Sequence, residues 1–240
     1  MLELLLAASA TALATGLGAV PVFALGDQRA QALKPGLLGL AGGVMAVAAV
    51  AGLLMPAWEE GEPVEVLGGV AIGVVFLLGA RNLLGHANPT ASVATRTSTL
   101  VFFVLLVHSL PEGFAIGTAY ASETEGLALF VVVAIAIQNI PEGTSVAIPM
   151  AAAGYGATRQ FWGAVATSLP QPLGAAIAFL LVEQITALLP ISFAFAAGAM
   201  LALVIVQVAP SALRDDRRLA IAGAAVGAAV MLVLSSLLGV

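Results

Sequence analysis

Apolar residues run along this chain in eight long blocks, separated by short clusters of Gly, Pro and charged residues. A helix needs about 20 mostly apolar residues to cross a bilayer. The pattern therefore predicts spans at Leu2–Leu25, Gly36–Trp58, Val64–Leu84, Thr97–Tyr120, Gly126–Met150, Gln160–Val182, Ala187–Ala209 and Leu219–Val240. The intervening clusters carry the residues expected of turns. The blocks use nearly the whole chain, so we expect a single transmembrane domain over residues 1–240, without a separate soluble domain. The first block opens Leu2-Glu3 and lacks the basic run of a secretory leader, which predicts a retained first span.

Composition agrees with this pattern. Of 240 residues, 61% are apolar and 9% charged, whereas a soluble domain carries about 25% charged residues. We expect an all-α integral membrane protein that crosses the cell membrane many times, with the lipid bilayer as its surroundings and no nucleic-acid partner. Without cysteine, disulfides and thiolate ligands are excluded, and any metal must be held by oxygen and imidazole groups.

The charges then orient the spans. Arg29 and Lys34, Arg81 and Arg96, Arg159, and Arg214, Arg217 and Arg218 fall in alternate loops. The other loops are acidic, with Glu59, Glu60, Glu62 and Glu65, then Glu123 and Glu125, then Glu183. Basic loops face the cytoplasm, which predicts extracellular termini. Gly43-Val44-Met45 followed by Pro56, and Gly198-Ala199-Met200 followed by Pro210, suggest that the second and seventh spans correspond. These spans run in opposite directions, as in the inverted repeats of many transporters.

Two matched motifs carry the candidate chemistry: H-S-L-P-E-G at His108–Gly113 and Q-N-I-P-E-G at Gln138–Gly143. A charge at the bilayer centre costs about 2.5–3.5 kcal/mol on insertion scales. His108 and Glu112 stand at i and i+4, on one helix face, and Gln138 and Glu142 repeat the spacing. Pro111 and Pro141 should break or kink their helices and free the carbonyls of Val107 and Ile137, while Gly113 and Gly143 allow close helix approach. One divalent ion would neutralise both Glu residues. His108, Glu112, Gln138 and Glu142 offer one nitrogen and at least three oxygens, a set that suits Zn²⁺ and accepts Fe²⁺, Mn²⁺ or Cd²⁺.

Ser109, Asn139 and Gln171 form an adjoining polar group without charge, so one strong site is expected rather than two. His86 reads as a solvated loop residue, Gln207 as an interhelical hydrogen-bond partner, and Met45 and Met200 as packing. Two rival readings use the same residues. In one, Glu112 and Glu142 carry protons for a transporter of a non-metal substrate. In the other, the chain is an intramembrane hydrolase, but it has no H-E-x-x-H and no cysteine. A non-enzymatic role is expected.

At the paired motifs the chain resembles the ZIP (Zrt-, Irt-like) family of divalent-metal transporters, whose corresponding patterns are H-N-x-P-E-G and H/Q-N-x-P-E-G. Gln138 brings it closer to the GufA-like branch. Supporting segments are Ala41–Ala57, Ser168–Gly174 and Phe195–Met200. The resemblance implies eight helices with an inverted 3+2+3 repeat, extracellular termini, frequent homodimerisation, and metal passage to the cytoplasm between helices 4 and 5. It places a first metal site on His108, Glu112, Gln138 and Glu142. A weaker second site would use Ser109, Asn139 and Gln171 with the two Glu residues. Ser109, Gln171 and Gln207 replace the Asn, Glu and acidic residue common in the family. The family's long His-rich loop is reduced here to His86 and its neighbours, so metal sensing by that loop is not expected.

Overall fold

The computed structural model describes residues 1–84 and 93–240, with the side chains of Asp27 and of Leu83–Val101 outside the description. His86 lies outside the described residues. Eight apolar helices of membrane-spanning length are present among the described residues. They are α1 (Leu2–Leu25), α2 (Gln28–Glu60), α3 (Pro63–Leu84), α4 (Val93–Ala121), α5 (Leu127–Ala152), α6 (Ala157–Gln184), α7 (Thr186–Asp215) and α8 (Arg217–Leu238). Large apolar side chains such as Leu2, Val64, Leu67, Ile205 and Leu237 face outward, while polar groups such as Thr11, Gln138 and Asn139 are fully buried. That inversion of the soluble pattern is what a lipid solvent requires. The chain is a multi-pass membrane protein.

Several helices extend beyond their apolar blocks. α2 starts well before Gly36, α4 before Thr97, and α7 continues past Pro210 to Asp215. Composition marks the thickness of the bilayer, whereas hydrogen bonding decides where a helix ends. At α8 the start is explicit: the Asp216 carboxylate accepts from the backbone N–H groups of Arg218 and Leu219.

Contacts between helix ends sort the loops into two groups. Lys34 Nζ lies 3.1 Å from Asp215 Oδ2, and the Arg81 guanidinium donates to the Val206 carbonyl. Those residues mark a basic end. At the acidic end Glu60 interacts electrostatically with Glu123, Gly61 meets Pro190, and Gly126 meets Leu238. The charge alternation read from the loops is thus a real separation in space.

The helices form reciprocal pairs held by glycines. A Cβ on Gly39 or Gly43 would strike the α8 backbone at Ala220 or Ala224, and one on Gly223 or Gly227 would strike α2 at Gly36 or Leu40. On the other side, Gly69 and Gly73 meet α7 at Ile191 and Phe195, and Gly198 meets α3 at Val70. The inner pairs match as closely. Gly113 abuts the Gln171 carbonyl of α6 while Gly174 abuts that of Leu110; Gly143 abuts the Thr15 carbonyl of α1 while Gly18 abuts that of Ile140. In lipid, where apolar surface alone drives no association, such close backbone approach supplies the packing energy.

The irregularities of α2 and α7 obey the same correspondence. α2 and α7 each contain one turn of π-helix, Val50–Leu54 and Val204–Val208, ending just before Pro56 and Pro210. A widened turn relieves the clash between a proline ring and the carbonyl four residues earlier. α1 and α6 are each interrupted too, at Gly18–Ala19 ahead of Pro21 and at Ser168–Leu169 ahead of Pro170, but these two breaks are not equivalent positions in the glycine register. Thus α1–α3 and α6–α8 repeat with opposite sense around α4 and α5. One expectation is corrected: α4 and α5 run unbroken through Pro111 and Pro141. Each proline removes a single hydrogen bond, the neighbouring turns keep theirs, and the glycine contacts with α6 and α1 hold both helices in place. The interruptions lie in the partners.

Two substitutions on α3 test the packing. Gly73→Ala places a methyl against the Phe195 carbonyl and Ala199 nitrogen and should lower stability in detergent by about 1–3 kcal/mol. Gly79→Ala meets open space and should leave it unchanged. Thermal unfolding followed by Trp58 and Trp162 fluorescence checks this contrast, and equal midpoints would refute it.

Candidate metal site

The i, i+4 spacing on α4 and α5 turns both motifs toward the seam between these helices. His108, Glu112, Gln138 and Glu142 meet there, each no more than 4% exposed. One ligand atom from each of His108, Glu112 and Glu142 lies within 4.8 Å of the others. A tetrahedral Zn²⁺ takes nitrogen and oxygen ligands at about 2.0–2.2 Å, so the three groups need only a slight inward adjustment to share one ion.

Hydrogen bonding distinguishes the two carboxylates. Glu112 Oε1 accepts from Gln138 Nε2 at 2.6 Å, and its Oε2 accepts from Gln171 Nε2 at 2.7 Å. Both oxygens of Glu112 are thus occupied by amide N–H groups of the protein itself. Glu142 Oε2 lies 3.4 Å from His108 Nε2, and Glu142 Oε1 has no hydrogen-bond partner although buried. Gln138 Oε1 is likewise buried and unpartnered. Two oxygens of the proposed ligand set are therefore open.

The histidine tautomer follows from its other contact. His108 Nδ1 lies 3.0 Å from the Val104 carbonyl, which can only accept, so Nδ1 carries a proton. In the neutral ring Nε2 then presents a lone pair to the Glu142 carboxylate. Two acceptors face each other stably only with a proton or a cation between them. Anchoring the second ring nitrogen on a backbone carbonyl is how metal-binding histidines are commonly oriented.

Ser109, Asn139 and Gln171 behave differently. The Ser109 hydroxyl donates to the Leu105 carbonyl of its own helix at 2.9 Å. Asn139 Nδ2 donates to the Thr11 carbonyl at 2.7 Å and to Gln171 Oε1 at 3.2 Å. The Thr11 hydroxyl reaches Gln171 Oε1 at 2.9 Å. The result is an uncharged network attached to Glu112. Thr11 was not singled out from the sequence; its signal was Thr11 and Thr15 at i, i+4 within the first span.

A cavity of about 240 Å³ runs from His108 and Glu142 past Ser145, Gln207 and Gln31 to Lys34 and Ser211 at the basic end. Toward the acidic end the seam is filled by Ala115, Ile116, Phe130, Ala134 and Ile135, all buried. Gln207, read from sequence as an interhelical partner, instead lines this cavity from the π-helical turn of α7. Met45 and Met200 are buried core residues, as expected.

Known proteins share this chain's pattern. The family model described as "ZIP Zinc transporter" matches residues 80–235. The zinc transporter GufA of Myxococcus xanthus is 33% identical over 94% of this chain and 95% of its own length. The zinc transporter ZIPB of Bordetella bronchiseptica is 32% identical over 94% of this chain and 78% of its length. A protein of Arabidopsis thaliana named "Putative zinc transporter" is 35% identical over 95% of this chain, which spans 38% of that longer protein.

The unequal bonding of the two carboxylates has a measurable consequence. Glu112→Ala strands the amides of Gln138 and Gln171, each a buried donor whose loss of partner costs about 1–3 kcal/mol. Glu142→Ala leaves only His108 without its neighbour. In metal-free detergent solution Glu112→Ala should therefore unfold at a lower temperature than Glu142→Ala; the reverse order would contradict the assigned bonds.

Proposed function

This chain belongs to the ZIP zinc transporter family, and from that premise we propose that it carries a divalent transition-metal ion, Zn²⁺ foremost, across the membrane into the cytoplasm. The observation that carries this reading is the convergence of His108, Glu112 and Glu142 on one buried point, with open oxygens on Glu142 and Gln138. In it, Glu112 and Glu142 neutralise the ion, and His108 supplies the nitrogen that favours borderline metals. Gln138 turns its amide so that the oxygen, not the nitrogen, faces the ion. Fe²⁺, Mn²⁺ and Cd²⁺ suit the same ligands. One ion binds at a time, because Ser109, Asn139 and Gln171 add no charge and are committed to other hydrogen bonds.

The direction of transport is part of the same proposal. The cavity leads from the site to the basic end, which the positive-inside rule assigns to the cytoplasm. The packed seam on the acidic side corresponds to a closed outer path, so this arrangement faces inward. To accept an ion from outside, the bundle of α1, α4, α5 and α6 moves against the α2–α8 and α3–α7 pairs. The homodimer expected from the family resemblance, and a non-enzymatic role like that of the named relatives, belong to this reading.

Zn²⁺ uptake by purified protein in liposomes tests it. Uptake should saturate, vanish in Glu142→Ala, and fall when Fe²⁺, Mn²⁺ or Cd²⁺ competes. Unchanged uptake by Glu142→Ala would remove the site assignment. No metal uptake, with transport of another solute driven by a pH gradient, would favour the proton-carrying alternative.

A further inference from the structure

Glu112 is held from a helix that contributes no ligand to the proposed site. Gln171 donates Nε2–H to Glu112 Oε2 at 2.7 Å, and the rest of its amide is fixed by α1 and α5. Its Oε1 accepts from the Thr11 hydroxyl at 2.9 Å and from Asn139 Nδ2 at 3.2 Å. Its Nε2 also reaches Asn139 Oδ1 at 3.4 Å. Asn139 is itself anchored on the Thr11 carbonyl at 2.7 Å. Thr11, Asn139 and Gln171 are all fully buried, so water does not substitute for any of these groups.

The sense of the Gln171 amide follows from this arrangement. Turned the other way, its oxygen would face the Glu112 carboxylate, two acceptors in contact. Its nitrogen would then face Asn139 Nδ2, two donors in contact. Thr11 strengthens the productive sense from the α1 side, sharing its single hydroxyl proton between Gln171 Oε1 and the Ala8 carbonyl at 2.8 Å. The direct bond from Gln171 then fixes where Glu112 Oε2 points, and leaves Oε1 to the amide of Gln138.

We propose that Thr11 is a positioning residue for the metal site: acting through Gln171, it orients the Glu112 carboxylate, so that α1 sets part of the affinity of a site built on α4 and α5. This rests on the metal-binding reading above. Removing groups that orient a metal ligand commonly costs 10–100-fold in affinity. Thr11→Val keeps the shape of the side chain and removes the hydroxyl, whereas Thr11→Ser keeps the hydroxyl.

Calorimetric titration of Zn²⁺ into purified full-length protein in detergent provides the test, with wild type, Thr11→Val, Thr11→Ser, Gln171→Met and Glu142→Ala compared. Thr11→Val should weaken Zn²⁺ binding about 10-fold or more, and Thr11→Ser should restore it. Gln171→Met breaks the same path one step nearer the ligand and should weaken binding at least as much as Thr11→Val. That second variant keeps the test decisive if Thr11→Val does not fold. In liposomes the KM for Zn²⁺ should rise in Thr11→Val with little change in maximal rate, which general loss of folded protein would not produce. Wild-type affinity in Thr11→Val or in Gln171→Met, with Glu142→Ala inactive in binding, would overturn this inference and leave the metal site standing. Zn²⁺ binding unaffected by Glu142→Ala, or absent from wild type, would instead overturn the metal-site reading and this inference with it.

Discussion

A carboxylate in the middle of an apolar bundle is stable only if nearby groups replace the water it has lost, and two of them in contact are harder still to hold. Much of this structure follows from meeting that demand at Glu112 and Glu142. No lysine or arginine among the described residues is spent on either. Glu112 receives two amide N–H groups, from the neighbouring α5 and from α6. Glu142 faces only His108 and keeps one oxygen without a partner. Direct amide donation satisfies one carboxylate within the protein; the other is left for a proton or, as we propose, for a cation shared between them.

The glycines make this donation geometrically possible. Gly113 follows Glu112 and touches the Gln171 backbone, which brings the Gln171 side chain within reach of the carboxylate one residue away. A larger residue at that point would push α6 outward and separate donor from acceptor. Packing and charge compensation are thus one design at this position. The Thr11–Asn139–Gln171 network extends it to α1 and joins four helices at the site.

The span number, the loop alternation and the four converging side chains were all legible in the sequence, because each depends on a local rule. Bilayer thickness fixes the block length, loop charge sorts with the membrane sides, and a four-residue spacing puts His108 over Glu112. What the sequence concealed depended on partners far along the chain. The prolines of both motifs suggested broken helices, but α4 and α5 remain whole and the interruptions fall in α1 and α6. Thr11 looked like any small residue in an apolar span, since its meaning comes from Gln171, 160 residues away. Gln207 gained its place on the cavity from a π-helical turn, which no periodicity announces.

The inverted repeat explains why the site is open on one side only. Gly113, Gln171, Gly174 and Leu110 correspond in the other half to Gly143, Thr15, Gly18 and Ile140, with the same glycine-to-carbonyl contacts. Thr15 therefore occupies the position of Gln171, beside Glu142 rather than Glu112. Its hydroxyl pairs with Ser168 at 2.7 Å and gives nothing to the carboxylate. Had both halves carried glutamine here, each Glu would have been capped by an amide, and the pair would have been sealed. With threonine in one half, Glu142, which lines the cavity leading to the basic end, keeps one oxygen without a hydrogen-bond partner. The backbone symmetry builds two equivalent cradles, and one side-chain difference between them decides which carboxylate stays open.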